Sequence, residues 1–273
     1  MRDVPQLVEL CQLVKEVAST VPVLRSGRVD HLVKLDGSFV TEVDHQLQVR
    51  LLDALRSKWP QYGAVGEEME YEEQLDQIKA GESGYWILDP LDGTTNFISG
   101  FLFFGISLAL VVDGHTKLAV VYDPMRDECF SAEQGKGAYL NGIRLANEDT
   151  AKMEDCIANV DYKRLTKELA SHLVRCPPYR SQRNLGSSVL EWCWLASGRI
   201  QLYLHGGQKL WDFAAGHLIL MESGGVATSI SGNPLECDKL RKRSVVAATT
   251  PALLSVWKAW IDEHRLAHKT IHY

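Results

Sequence analysis

The sequence predicts a chain that is α+β in its first half and α/β in its second, and two contrasting textures carry that reading. Between residues 85 and 145, short apolar and β-branched runs follow one another across turn signals such as Asp113-Gly114 and Asn141-Gly142, the pattern of an antiparallel sheet built from hairpins with helices packed on it. From about Asn147, strand-like runs alternate with helical ones, which implies crossover connections and a mostly parallel, mixed sheet. No linker composition separates the textures, so two domains, 1–146 and 147–273, are expected to abut tightly.

Each element has its own signal. Leu7, Leu10, Cys11, Val14 and Val17 recur at helical spacing and predict a helix over 4–20 with Asp3 as its N-cap. The polar stretch Lys34-Leu35-Asp36-Gly37-Ser38 reads as a loop. Val43, Leu47, Leu51 and Leu55 predict a second helix from Thr41 to Trp59, stopped at Pro60. Residues 68–82 are acidic and read as a helix or surface excursion. Tyr85-Trp86-Ile87-Leu88 suits a buried strand, which Pro90 and Gly93 should end in a turn. Further strands are expected at 106–112, 118–122, 129–132, 138–140 and 143–145. Beyond them, strands near 156–160, 179–183, 200–204, 225–230 and 244–249 alternate with helices near 163–174, 187–197, 212–222 and 251–266.

Composition narrows the function. The chain has 273 residues and a net charge of −6, with both signs mixed along it, which argues against a nucleic-acid binder with a basic face. A small anionic substrate suits such a chain only if metal ions supply the local positive field. No apolar run is long enough to span a bilayer, and the start carries no signal-peptide pattern. The six cysteines are scattered without a Cys-x-x-Cys pair, as expected of reduced thiols in a cytoplasm.

The chemistry concentrates in Asp89-Pro90-Leu91-Asp92-Gly93-Thr94-Thr95-Asn96-Phe97. Two carboxylates three positions apart, at the end of a buried strand, can hold hard divalent cations, while amides of the turn at Gly93 and Thr94 cradle an anion beside them. A metal beside a phosphate is what phosphate-ester hydrolysis requires. Asp-Pro and Asp-Gly also form turns unaided, but a turn needs no second Asp, paired Thr and Asn in fixed order.

This string resembles the first signature of the inositol monophosphatase family. Leu210-Trp211-Asp212-Phe213-Ala214-Ala215-Gly216, continuing to Glu222-Ser223-Gly224-Gly225, resembles the second, and Gly66-Glu67-Glu68 stands upstream at the family's usual distance. The resemblance runs from about Lys34 to about Ala248 and implies a layered α-β-α-β-α sandwich with the site between its halves. It implies a phosphoric monoester hydrolase acting on a small phosphorylated polyol or sugar through metal-activated water, lithium-sensitive and homodimeric. Carried over residue by residue, it assigns Glu67, Asp89 and the Leu91 carbonyl to one Mg²⁺, and Asp89, Asp92 and Asp212 to a second. Glu68 could help hold a third ion, and all-oxygen ligands also admit Mn²⁺. Thr94 would orient the attacking water, with Asp44 polarising its hydroxyl and Glu67 completing the catalytic set; Thr41-x-x-Asp44 equally has the spacing of a capping box.

The substrate side departs from the pattern. Asp92, Gly93, Thr94 and Asp212 would line the substrate, and Arg183, Gly186, Ser187 and Ser188 match the family segment that lies along the substrate or the dimer contact, although the two serines could instead open a helix. Inositol-selective members carry Glu seven residues before the metal-binding Asp, where this chain has His205, followed by Lys209. That makes the pocket less acidic and leaves open fructose 1,6-bisphosphate, 3′-phosphoadenosine 5′-phosphate or histidinol phosphate as substrates. A non-catalytic, RNA-associated regulatory role on the same fold is the rival from another class.

Overall fold

Successive residues of a strand point to opposite faces, and in the apolar runs between 85 and 122 both sets are buried, so each face of that sheet must be covered. The computed structural model describes residues 4–25, 31–33, 39–80, 83–147, 152–237 and 240–266. The first half contains α1 (Leu7–Ser19), β1 (His31–Val33), β2 (Phe39–Thr41), α2 (Glu42–Lys58), β3 (Gly63–Gly66), α3 (Tyr71–Ala80), β4 (Tyr85–Asp92) and α4 (Thr94–Ser99). The meander β5 (Gly105–Val112), β6 (His115–Asp123), β7 (Glu128–Glu133), β8 (Gly137–Leu140) and β9 (Ile143–Leu145) follows. The second half contains β10 (Ile157–Asp161), α5 (Lys167–Arg175), β11 (Ser181–Arg183), α6 (Ser188–Ala196), β12 (Leu202–Gln208), α7 (Leu210–Glu222), β13 (Val226–Thr228), β14 (Arg243–Ala248) and α8 (Pro251–Leu266).

Strands β3 to β9 form one seven-stranded sheet in sequence order, and β11-β10-β12-β14-β13 form a second. Trp86, Leu88, Leu108, Leu110 and Val120 on one face of the first sheet pack against α1 and α2. Ile87, Ala109, Val111, Ala119 and Val121 on its other face meet α6 and α7, which in turn meet Tyr203, Val245 and Ala247 of the second sheet. The far face of that sheet, with Ala158, Leu202, Leu204 and Val246, is covered by Leu169 and Leu173 of α5 and Leu253, Trp257 and Ile261 of α8. Five layers, α-β-α-β-α, result. The middle helices are apolar nearly all round because they have a sheet on each side.

The differences from expectation are local. Asp3 and the loop over residues 34–38 lie outside the described residues; the N-cap of α1 is Gln6, whose side chain makes no capping bond. The first sheet has a parallel edge, β3 on β4, and the second is mixed, parallel across β11-β10-β12 and antiparallel across β12-β14-β13. Pro90 does not end its strand. β4 continues to Asp92 because an irregularity in its pairing with β5 releases the ladder bond that proline cannot make. The acidic excursion after Glu68 is the helix α3.

Gly216 marks the closest approach of the two middle helices. A Cβ there would stand 2.3 Å from Cβ and 2.6 Å from Cγ of Trp192, atoms that cannot swing aside. Gly216→Ala should therefore cost stability toward the upper end of the ~1–3 kcal/mol typical of overpacking, outweighing the ~1 kcal/mol that alanine brings to a helix. Urea unfolding checks this, and an unchanged midpoint would mean that α6 and α7 can separate without cost.

Candidate active site

Residues three apart on a regular strand point to opposite faces. Asp89 pairs with Ser107 but Asp92 pairs with Gly105, three residues against two, so a one-residue bulge between them restores a common side. Gly93 then turns the chain into α4 at φ 88°, a conformation suited to glycine, and a Cβ there would crowd the Phe103 carbonyl and Ser187 Cβ at 3.1 Å. Asp212 arrives from the second half in the first turn of α7. One carboxylate oxygen from each of Asp89, Asp92 and Asp212 lies within 4.8 Å of the other two.

Each carboxylate is anchored through one oxygen. Asp89 Oδ1 accepts from the Leu91 amide at 3.1 Å. Asp92 Oδ2 accepts from Ser187 Oγ at 2.7 Å and the Val189 amide at 2.8 Å. Asp212 Oδ2 accepts from the Lys209 amide at 2.8 Å, closing the start of α7. The remaining oxygen of Asp89, Oδ2, is buried and receives no hydrogen bond from the described residues. A buried acceptor without a donor, beside two more carboxylates and with no His or Cys in the set, fits a hard divalent cation.

Burial, and then the charges of Glu67, Asp92 and Asp212, hold the Asp89 carboxyl well above its ordinary range. Burial raises Asp92 to about 6 against the hydrogen bonds from Ser187 and Val189. Asp212 is pushed up to about 8 by burial and then by Asp92 and Glu67. Burial first, and then the convergence of like charges, raises these groups, and a cation would reverse the shifts.

Glu67 follows β3 one residue past the Gly66–Leu88 register pair, and its amide donates to the Leu88 carbonyl, so it lies alongside Asp89. Its carboxylate is not part of the trio; Oε1 is 3.3 Å from the Lys209 ammonium, which also lies 5.2 Å from the centre of the Trp211 ring. The Glu68 amide donates to Gln48 Oε1 at 3.0 Å. Thr94 Oγ lies 3.1 Å from Asp44 Oδ1 and 3.0 Å from the Leu91 carbonyl. The other oxygen of Asp44 accepts from the Thr41 amide at 2.7 Å, so the carboxylate caps α2 and reaches Thr94 together.

On the substrate side the residues divide. Ser187 occupies the N-cap position of α6 yet makes no capping bond, because its hydroxyl is committed to Asp92. Ser188 opens that helix, and Gly186, at φ 78°, approaches Asn96 so closely that a Cβ would stand 3.1 Å from its amide group. Arg183 is exposed and turns back onto Ser181 Oγ and the Gln182 carbonyl, both at 2.7 Å. His205 is buried, and both ring nitrogens are engaged: Nδ1 accepts from the Gly207 amide at 3.1 Å, and Nε2 faces Asp161 Oδ2 at 3.4 Å.

Sequence reasoning missed three supports. Asn96 Nδ2 donates at 2.7 Å to both the Leu185 and Phe103 carbonyls and so ties α4 to the loop before α6; it lay inside the first string, unread. Glu191 accepts from the Leu185 and Gly186 amides at 2.9 and 3.0 Å, and its signal was a carboxylate in an otherwise apolar helix. Glu222, in the second string, accepts from the Gly135 and Gly137 amides across the layers.

The model of the inositol monophosphatase family matches residues 6–269. The chain is 35% identical over 207 residues to the Nus factor SuhB of Escherichia coli K12, covering 73% of this chain and 74% of that one. It is also 35% identical over 209 residues to a fructose-1,6-bisphosphatase/inositol-1-monophosphatase of Thermotoga maritima, covering 76% and 78% of the two chains. An IMPase structure from Thermotoga maritima superposes with a TM-score of 0.82 at 29% identity, spanning 96% of this chain and 98% of that one. With the acidic trio, both signature strings and the five-layer fold in one chain, the protein belongs to the inositol monophosphatase family.

Proposed function

We propose that the protein is a Mg²⁺-dependent phosphomonoesterase acting on a small phosphorylated polyol or sugar. The convergence of Asp89, Asp92 and Asp212 beside the Thr94–Asp44 pair carries this reading. Asp89, Asp92 and Asp212 would hold Mg²⁺, joined by Glu67 and the Leu91 carbonyl if Glu67 leaves Lys209. When bound, the ions supply charge to the phosphoryl and leaving oxygens and acidify the attacking water. Asp44, fixed by Thr41, accepts from the Thr94 hydroxyl, which leaves the Thr94 lone pairs to receive a proton of that water. The amides of Gly93 and Thr94, without intrahelical acceptors at the start of α4, would take phosphate oxygens.

The family supports a small phosphate ester as the substrate. Asp92, Gly186 and Ser188 would form the wall facing the alcohol, with Arg183 at its rim; Ser187, buried and committed to Asp92, would support that wall from behind. No helix among the described residues is long and apolar enough to cross a membrane, and a cytoplasmic homodimer completes the reading. Phe101 and Leu102, both about half exposed beside α4, offer apolar surface for a second copy.

A second reading has one observation behind it, the name Nus factor carried by a relative 35% identical to this chain. A phosphate-release assay with Mg²⁺ across inositol 1-phosphate, fructose 1,6-bisphosphate, 3′-phosphoadenosine 5′-phosphate and histidinol phosphate decides between them. Turnover of a polyol or sugar phosphate supports the enzyme; no release from any compound favours the regulatory role. In the active protein, Asp92→Asn should lower turnover by more than the roughly hundredfold that loss of a ligand's outer supports costs, with the fold intact by circular dichroism. Substantial retained turnover would break the metal assignment.

The titration of the trio gives an independent check. A carboxyl raised on folding contributes stability that is complete below its ordinary value, about 4, and is lost as pH rises through its folded value. Those values are about 6 for Asp92 and about 8 for Asp212. Without divalent ions, the melting temperature should therefore fall from about pH 5 to beyond pH 8. Mg²⁺ at a hundred times its Kd should restore roughly 5–10 °C at the alkaline end and much less at the acid end. A melting temperature indifferent to Mg²⁺ at every pH contradicts the proposal.

A further inference from the structure

The two carboxylates assigned to the second ion come from different halves, and a buried chain of hydrogen bonds joins the backbone segments that carry them. Ser187 and Val189, which hold Asp92, follow directly on Leu185 and Gly186, whose amides both donate to Glu191 Oε1. Glu191 Oε2 accepts from the Tyr203 hydroxyl at 2.9 Å. That hydroxyl accepts in turn from Gln208 Nε2 at 2.6 Å, and Gln208 Oε1 accepts from Trp192 Nε1 at 3.0 Å. Gln208 immediately precedes Lys209, whose amide anchors Asp212. A shift of register in β12 between His205 and Gln208 separates this end of the strand from its regular pairing with β14. Glu191, Tyr203 and Gln208 are buried at 3%, 0% and 0% exposure, so each lost bond would strand a polar group away from water.

We infer that Glu191 is a positioning residue that, through Tyr203 and Gln208, sets the separation of Asp92 from Asp212 and so the affinity for the second cation. The inference rests on the phosphatase reading only in taking these carboxylates as cation ligands. Glu191 touches neither carboxylate, and its effect passes through the loop before α6 and the end of β12.

The test is direct binding, with no substrate present. Mg²⁺ alone is titrated calorimetrically and Mn²⁺ alone by paramagnetic resonance, well below the melting temperature of every variant. Asp212→Asn identifies the binding step that belongs to the second ion. Glu191→Leu should weaken that step by about 10–100-fold, the range for outer supports of metal ligands, and leave the other step unchanged. Tyr203→Phe removes one hydroxyl, keeps the bonds from Glu191 to the two amides, and should weaken the same step, which preserves the test if Glu191→Leu fails to fold. Glu191→Gln retains an oxygen for both amides and should recover most of the affinity. Lower melting temperatures with both steps within twofold of wild type would make Glu191 a purely structural residue and overturn the inference, with the phosphatase reading intact. A wild-type protein that binds neither ion would overturn both.

Discussion

Three carboxylate oxygens from distant parts of the chain, held within 4.8 Å of one another, are the constraint to which the rest of the structure answers. Burial and mutual repulsion both oppose ionisation there, so the site must carry protons or cations. The protein meets the geometric part of the problem in one way three times. Leu91, the Ser187–Val189 pair and Lys209 each clamp a single oxygen of Asp89, Asp92 and Asp212, respectively. One oxygen per residue is thereby fixed by the scaffold, and on the reading proposed above the other would take a cation.

The layering explains why such a cluster can persist. Two of the carboxylates sit at the end of β4, next to the edge strand of the first sheet, and the third lies in the first turn of a helix sandwiched between the two sheets. Moving Asp212 away from Asp89 would require α7 to slide against both neighbours, and Gly216 against Trp192 leaves little room. Polar contacts reinforce the arrangement: Glu222 holds the amides of Gly135 and Gly137, and Arg199 makes a bidentate pair with Glu128.

What could be read in advance follows from what short-range pattern encodes. Hairpin signals and helix periodicity located β5 to β9, α2 and α8 because those elements are specified by local spacing. The bulge that aligns Asp89 with Asp92 was missed because proline and glycine look alike whether they end a strand or interrupt it; only pairing with β5 distinguishes the two. Capping-box spacing showed Asp44 as a cap and only the resemblance gave it Thr94 as partner; the two coexist because they use different oxygens. For Glu191 a carboxylate in an apolar helix was the whole signal: its partners, Leu185, Gly186 and Tyr203, are brought to it by tertiary structure and leave no spacing rule behind.

The departure at position 205 changes meaning once its surroundings are known. From the sequence, His205 and Lys209 add positive character to the pocket. In the structure the Lys209 ammonium meets Glu67, and His205 spends both nitrogens on Gly207 and Asp161. Burial opposes ionisation of Asp161, but the hydrogen bond from His205, with the Lys163 amide and the Arg164 guanidinium, outweighs it and keeps that carboxyl below its ordinary value. Arg164 stands 3.4 Å from the same group. Relative to an inositol-selective pocket, the change removes a carboxylate acceptor and supplies no unpaired cation in its place. On the reading proposed above, selectivity among alcohols would therefore come from the shape of the wall formed by Gly186 and Ser188 rather than from a charged acceptor at position 205.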